Sequence, residues 1–562
     1  MTFETFIPPR SKNVLEVTGE VAENFQTTKE KFLEIQPDCK YIVEKKIVGG
    51  DEKFDAIILQ NNLIENLSHD ELVELIKKFS AKLQKRGTLI FTLNNIAYAE
   101  NVMAILEAKP PKFKTTLTKV ELEQAIGDAK LNRLRSMNAG RRINLPQNLV
   151  DLAKTDVSAF MHIVTATPEK LPPKTLLQYS IGENLVCAPI RIHLPNSFFV
   201  TEPNISTNAA LSGMPYKIFT EKDFDRRIFI NQRISFNSFA KGKKIFEQLN
   251  EAGYLYLSEM DDHPILWEKD YSNSGYINFI SVHAVQTSTK YLADFLSQYN
   301  PHVKIFPNQL RRLLPKRNFD EEFRQKDKPV TIFFGALNRD KEFNELLPTL
   351  NKIAEDYGKK ISFKILARKK LFDSLQAENK ILVGDPNQYD AQFVPYSAYE
   401  EVLQSSDIAL LPLQDNKFNR AKSDLKFIEC ANAGAVALAS PVVYSDVVKD
   451  GENGFIFSDL KDFSDKLKML IDNPNKRREV SEKAYDYVKH NRLLSQHYEE
   501  RLNWYFELLA KLPELTKEAR ARIEKIAPQF KDEPPELSPQ LPPQQNNSEG
   551  FLEPNAEIII PV

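Results

Sequence analysis

Apolar positions along the chain fall into three successive blocks in which short apolar runs alternate with amphipathic stretches, the pattern of layered α/β domains. In the first block Val14–Val17, Tyr41–Val43, Phe54–Leu59 and Thr88–Leu93 read as strands, and Leu72, Leu75, Ile76 and Phe79 line one face of a helix over Glu71–Lys82. In the second, strands are predicted at Asn184–Leu194 (with Arg191 set into it), Lys217–Thr220, Ile228–Ile230, Tyr254–Met260, Phe279–Gln286 and Val303–Phe306. Helices are predicted before Gly253 and over Lys290–Tyr299. In the third, Val330–Phe334, Ile361–Ala367, Ile381–Val383, Ile408–Leu411 and Ala435–Ala439 read as strands, with helices over Phe343–Tyr357, Leu460–Asp472, Lys476–His490 and Tyr498–Leu512. Leu171–Pro173 and the charged Asn318–Lys328 read as the linkers between blocks.

Beyond Lys531 the chain is rich in Pro, Gln and Asn, a composition that predicts disorder. Its closing EIIIPV reads equally as a docking peptide or an idle hydrophobic end. The 562 residues exceed what one core supports. A formal net charge of −2 provides no global argument for nucleic acid or membrane binding. Cys39, Cys187 and Cys430 are far apart, in apolar surroundings, and match no zinc or redox spacing, so buried reduced thiols are expected. No N-terminal signal pattern is visible and no apolar run reaches the length of a membrane span. The expected location is cytoplasmic, at most peripheral at the inner face of a membrane.

Candidate chemistry concentrates in Asn419–Phe457. On a helix starting near Lys422, the residues Lys422, Lys426 and Glu429 would share one face, with Ser423 or Asp424 as N-cap and Gly434 as the stop. Cations at a helix N-terminus suit a diphosphate, and a carboxylate two turns along suits the vicinal hydroxyls of a ribose. A solvated face with an incidental charge pattern is the plain alternative, but the small apolar strand that follows argues for burial. After the strand Val330–Phe334, Gly335 opens a loop carrying Arg339 and Lys341, where open α/β sheets bind ligands. Asp261, Asp262 and His263 close another predicted strand; a carboxylate there could orient or deprotonate a hydroxyl, or simply cap a turn. Arg191 could reach the same cleft, whereas His283 reads as structural.

The segments FFGALNRDK, FVPYSAYEEVLQSSDIALLPL, FNRAKSDLKFIECANAGAVALAS and YSDVVKDGENGFIF resemble the GT-B glycosyltransferases, the large family of lipopolysaccharide and capsule enzymes, over roughly residues 175–510. The resemblance implies two facing Rossmann-like domains, a final helix crossing back to the first of them, and transfer of a sugar from a nucleotide-sugar donor to an acceptor hydroxyl without a metal. It places Lys341 on the donor phosphates, Glu429 on the ribose and Val394–Tyr396 near the base. Two positions depart from the family pattern: Ala421 stands where a second glutamate is usual, and Ala336 where an arginine follows the loop glycine.

The first block, with KNVLEV, YIVEKK, FDAIILQNNLIENL and RGTLIFTLNN, is similar to class I S-adenosylmethionine methyltransferases over roughly residues 10–165. Glu44 stands where the family holds the cofactor ribose, but Gly19 is alone in the turn and Gln60, Asn61 and Asn62 replace the usual segment, so a degenerate domain is expected. The resulting organisation is a methyltransferase-like domain over 1–170, an acceptor domain over 171–325, a donor domain over 326–490, a crossing helix over 491–512 and a tail over 513–562. Expected partners are a nucleotide-sugar and a glycan, lipid-linked or protein acceptor, with S-adenosylmethionine as the only cofactor in question and no nucleic acid. A bifunctional methyltransferase–glycosyltransferase and a non-catalytic carbohydrate- or partner-binding relic are the rival readings.

Overall fold

The computed structural model describes residues 3–19, 25–46, 50–110, 117–141, 159–182, 187–214, 216–236, 238–320, 328–335, 339–384, 393–531 and 559–561. The chain divides into two compact units, Met1–Pro173 with Val200–Ile205, and Lys174–Phe199 with Ser206–Val562.

Unit 1 is built on a sheet in the order Lys40–Glu44, Asn13–Val17, Phe54–Leu59, Leu83–Asn94, Ala159–Thr167, Asn132–Arg141. The first four strands are parallel, and the last two add an antiparallel edge. Alternate residues of the inner strands feed two apolar layers. Leu15, Ile57 and Leu59 meet Leu72, Ile76 and Phe79, while Val14, Ala56 and Ile58 meet Phe32 and Tyr41. The helix expected at Glu71 begins at His69, because Ser68 and Glu71 form a reciprocal capping box. Glu16 is fully buried in the central strand and accepts hydrogen bonds from Tyr41 (2.7 Å) and Gln60. Burial raises its carboxyl above the ordinary range, against the pull of these two donors.

Unit 2 holds two six-stranded sheets. The first has the order Val303–Ile305, Ala284–Thr287, Leu255–Met260, Arg226–Gln232, Thr175–Ile181, Ile205–Leu211. The second, wholly parallel, has the order Lys380–Val383, Ile361–Leu366, Val330–Phe334, Ile408–Leu411, Val436–Ala439, Phe455–Ile456. Chain order reverses between Val330–Phe334 and Ile408–Leu411, which makes the strand ends there a natural crevice. The fold class is thus α/β, with several Rossmann-like parallel sheets.

Three expectations in the second block fail for identifiable reasons. Of the strand expected at Asn184–Leu194, residues 184–186 lie outside those described and the rest is helical: Pro189–His193 is a wide helical turn leading into the helix Leu194–Phe199, while a strand lies earlier, at Thr175–Ile181. A short apolar run cannot distinguish buried strand from buried helix, and Pro189 sits at the first helical position, where its missing N–H costs nothing. Lys217–Thr220 joins no ladder: the Lys217 carbonyl is taken by Gln178 (2.9 Å) and the Phe219 N–H by Tyr254 (2.9 Å). Phe279–Gln286 is split into the end of a short helix, Ile277–Ile280, and the strand Ala284–Thr287.

The chain returns from the second sheet to the first. Beyond the helix Tyr498–Ala510, residues expected in the tail form another helix, Leu512–Ile526, whose Ala519 and Ile523 pack with Phe246, Tyr256 and Phe279. The predicted disorder of the tail concerns residues mostly outside those described. The closing Ile559–Pro561 pairs antiparallel with Phe393–Pro395. No helix among the described residues is long and apolar enough to cross a membrane.

His283 locks the returning helix in place. Its Nδ1 accepts from the Tyr256 backbone N–H (2.8 Å), and its other ring nitrogen lies 3.0 Å from the Thr516 hydroxyl. Burial, with Arg522 adding to it, lowers its pKa to about 4, so the folded protein holds it neutral. The unfolded chain then binds the proton first, and stability falls as pH drops from about 6.5 to about 4, by at most about 3 kcal/mol. Thermal unfolding followed across that window should show this loss, and His283→Gln should flatten it.

Candidate active site

The strand ends of the second sheet assemble the donor-side candidates. Gly335 follows the strand Val330–Phe334 in a tight place: a Cβ there would meet the Phe333 ring at 2.8 Å and the Leu366 Cβ at 2.9 Å. Its glycine is therefore explained by packing. Ala336 lies outside the described residues. Arg339 precedes the helix Asp340–Tyr357, and its Nη1 lies 3.4 Å from Glu342 Oε1 and 3.2 Å from Asn419 Oδ1. Asn419 in turn donates to Glu342 (3.2 Å) and to the Gln414 carbonyl (2.9 Å). A buried Asn–Glu pair thus holds the arginine at the crevice between Val330–Phe334 and Ile408–Leu411. Lys341, in the first turn of the same helix, is exposed.

The second cluster differs from the sequence expectation. The helix runs over Leu425–Ala433 and stops at Gly434 (φ +81°), so Lys422 precedes it, in the turn after Lys417–Arg420, and does not share its face with Lys426 and Glu429. Asp424 occupies the N-cap position but makes no capping bond, because its carboxylate is gripped by Arg492. Ser423 accepts a hydrogen bond from Asn308 Nδ2 (2.8 Å) instead of capping. Removing both caps leaves the first N–H groups of the helix unused by side chains, the arrangement that favours an anion. Glu429 is present but enclosed: Tyr399 donates to it (3.0 Å) and Lys426 Nζ lies 3.3 Å away, over the Tyr399 ring. Burial and then Glu429 push the Tyr399 hydroxyl well above its ordinary value, so it stays a donor.

Arg492 ties these pieces to the connection between the sheets. Besides Asp424 it donates to the Asn308 carbonyl (2.8 Å) and approaches Gln309 Oε1 (3.3 Å). Burial pushes the hydroxyl of the buried Tyr444 above its ordinary value, against the pull of Arg339.

On the first sheet, Asp261 and Asp262 end the strand Leu255–Met260 and share one guanidinium. Arg233 Nε meets Asp261 Oδ1 and Arg233 Nη2 meets Asp262 Oδ2, both at 2.6 Å. Burial alone would raise the Asp261 carboxyl, but Arg233 holds it below its ordinary value. The free oxygen of Asp262 meets Lys422 Nζ at 2.7 Å, so the two sheets touch through the residues picked out on each. His263 caps the turn Pro264–Trp267, its Nδ1 accepting from the Ile265 N–H (3.1 Å), so its proton sits on Nε2. Burial, then Lys417, lowers its pKa. Arg191 is not in a cleft. It is 1% exposed and bound to Glu259 (2.7 Å), the Phe306 carbonyl (2.6 Å) and Asn308 (2.9 Å), beneath the site. Arg233 and Arg492, which organise both halves, escape sequence reasoning because a single arginine after an apolar run carries no periodic signal.

A cavity of about 550 Å³ adjoins this contact, lined by Ser288, Tyr291, Lys422, Asp424, Arg492 and Tyr498 among others. Arg339, Lys341 and Glu429 are not on its wall. Among the described residues no group of three or more His, Cys, Asp or Glu side chains gathers as a metal site.

Residues 358–506 match the family described as glycosyl transferase-like. Similar solved structures include sucrose-phosphate synthase from Thermosynechococcus elongatus (10% identity, 60% of this chain and 99% of that one, TM-score 0.44). They include the Anabaena protein HepE in complex with UDP and glucose (9%, 59% and 99%, 0.43). A mutant TarM from S. aureus in complex with Fondaparinux, alpha-GlcNAc-glycerol and UDP covers more of the chain (12%, 89% and 99%, 0.38). These likenesses are distant. No curated protein matches the sequence.

Tyr399→Phe should destabilise unit 2 by about 1–3 kcal/mol, since it strips a hydrogen bond from a buried carboxylate, and denaturant unfolding measures this directly.

Proposed function

We propose that unit 2 binds a nucleoside diphosphate sugar at the crevice of its second sheet and transfers the sugar to an acceptor hydroxyl presented by the first. The observation that carries this reading is the Lys422–Asp262 ion pair, which puts a donor-side cation against an acceptor-side carboxylate. The open N-terminus of Leu425–Ala433, with Lys422, Ser423 and Lys426, would take the diphosphate together with Gly335 at the end of its strand and Arg339 and Lys341 at the start of the helix Asp340–Tyr357. Charge growing on the departing nucleoside diphosphate would be neutralised by these groups already in place. Glu429, freed from one of its partners, would hold the ribose.

On the acceptor side, Asp261 is kept ionised by Arg233 and is a weak base, so its part is to keep Asp262 in register. Asp262, held by two cations, would orient the acceptor hydroxyl, and His263 would offer its Nε2–H to a sugar oxygen. The acceptor class is a glycan, a lipid-linked saccharide or a protein, as in cell-surface polysaccharide, lipopolysaccharide or glycoprotein synthesis. Peripheral contact with a membrane surface would fit such acceptors.

A binding protein without transfer activity is the second reading, favoured by Ala421. It is fully buried in the apolar cluster of Phe239, Phe279 and Leu292, and its carbonyl is bonded by Thr289 (3.3 Å). No carboxylate is available at that position. Unit 1 we read as a degenerate methyltransferase-like domain: Gln60, at the end of a central strand, turns its amide inward to Glu16 and away from any cofactor. Calorimetry with S-adenosylmethionine should find no micromolar binding, and finding it would reinstate the bifunctional enzyme.

Screening UDP-, GDP-, ADP- and dTDP-sugars for transfer or hydrolysis should reveal at least one donor, and silence from all of them would favour the binding protein. With that donor, Glu429→Ala and Lys341→Ala should each weaken donor binding or turnover by about 10-fold or more. Activity close to wild type in both would overturn the site assignment.

A further inference from the structure

Arg233 is a buried cation at the acceptor-side strand ends whose carboxylate partner carries an ion pair across the cleft to Lys422. We propose that it is a positioning residue for donor capture, fixing Lys422 through Asp262 at the entrance to the helix Leu425–Ala433. The proposal rests on the reading of Lys422 as a phosphate ligand.

The guanidinium is placed by its backbone before any contact with Asp262. Arg233 sits in the left-handed region (φ +50°), a cost that a non-glycine residue bears only where its surroundings hold it. Its N–H bonds the Glu259 carbonyl (3.0 Å), and any side chain at Gly182 would run into its carbonyl oxygen. The side chain is 6% exposed and lies 5.9 Å from the Trp267 ring centroid. From that fixed point its fork gives one nitrogen to each carboxylate, Nε to Asp261 and Nη2 to Asp262, so Asp262 cannot rotate without losing a 2.6 Å bond. The remaining Asp262 oxygen is thereby aimed at Lys422.

Lys422 has nothing else of comparable strength to hold it. Among the described residues its hydrogen-bond partner is Asp262, with the Phe418 ring 4.1 Å from Nζ. An ammonium carries three donors, so two N–H bonds stay available for phosphate oxygens while one remains on Asp262. A long side chain anchored at one point loses less freedom on binding an anion than a free one. The chain Arg233–Asp262–Lys422 also makes phosphate capture depend on the two sheets being closed on one another, since Lys422 belongs to one and Asp262 to the other.

The test uses the full chain and a panel of UDP, GDP, ADP and dTDP, with the matching nucleosides as controls, measured by calorimetry. Arg233→Lys keeps the charge but loses the fork. It should weaken the nucleoside diphosphate that binds wild type by about tenfold while leaving its nucleoside unchanged. In a Lys422→Met background the same substitution should have less than about a twofold effect, because the relay has no end. A similar loss in both backgrounds, or an equal loss for the nucleoside, would overturn the relay while leaving the donor site standing. If no nucleoside diphosphate binds wild type, the donor site itself is wrong and the relay falls with it.

Discussion

Arg492 is the constraint on which the geometry of unit 2 depends. It is 5% exposed, where an unpaired charge would be prohibitive, and it satisfies itself on Asp424, the Asn308 carbonyl and Gln309. Those partners belong to two different pieces of chain, the start of the site helix and the connection leaving the first sheet, and Arg492 itself adds a third, the turn by which the chain returns. Breaking one side of such a buried pair typically costs about 3–5 kcal/mol. The two sheets are thus joined at the edge where their strand ends meet, and the cleft inherits its alignment from that joint.

Beneath it lies a second layer of buried polarity. Glu259 is fully enclosed and binds Arg191 and Gln286, and Gln286 accepts from Tyr505 of the returning helix (2.7 Å). Arg501 donates to the Arg191 carbonyl (3.1 Å). Polar groups this deep are costly unless each finds its partner, so the network admits few alternative arrangements of helix and sheet. The helix Tyr498–Ala510 thus completes a hydrogen-bond set that the first sheet does not close alone, and Leu512–Ile526 adds separate bonds from Thr516 to His283 and from Arg522 to the Ile280 and Val282 carbonyls.

The site assembled on this frame is economical in its use of charge. Asp261 and Asp262 face Arg233 and Lys422, so the cluster is near neutral and its cations are already oriented. Enclosure of Glu429 by Tyr399 and Lys426 has the same character. Lys422, Lys426, Glu429, Asp262 and His263 are each held by a neighbour, which limits the reorganisation that binding would need, whereas Lys341 is exposed.

Much of this was legible in the chain itself. Val330–Phe334, Ile408–Leu411, Phe54–Leu59 and Leu460–Asp472 are bounded as their apolar patterns predict, because a parallel strand buried on both faces and a helix with one apolar stripe each leave an unambiguous period. Glu429, Lys341, Arg339 and the Asp261–Asp262–His263 turn could be singled out because strand ends and small-residue strands mark where an α/β crevice opens. The sequence could not show that Lys422 stands before its helix, that Asp424 turns to Arg492, or that Arg191 is buried on Glu259. Nor could it single out Arg233. Those outcomes depend on charges brought together across 29 to 160 positions of sequence, for which local spacing carries no record. Periodicity reports which face of an element is buried; only the packed structure decides which ion a buried ion will find.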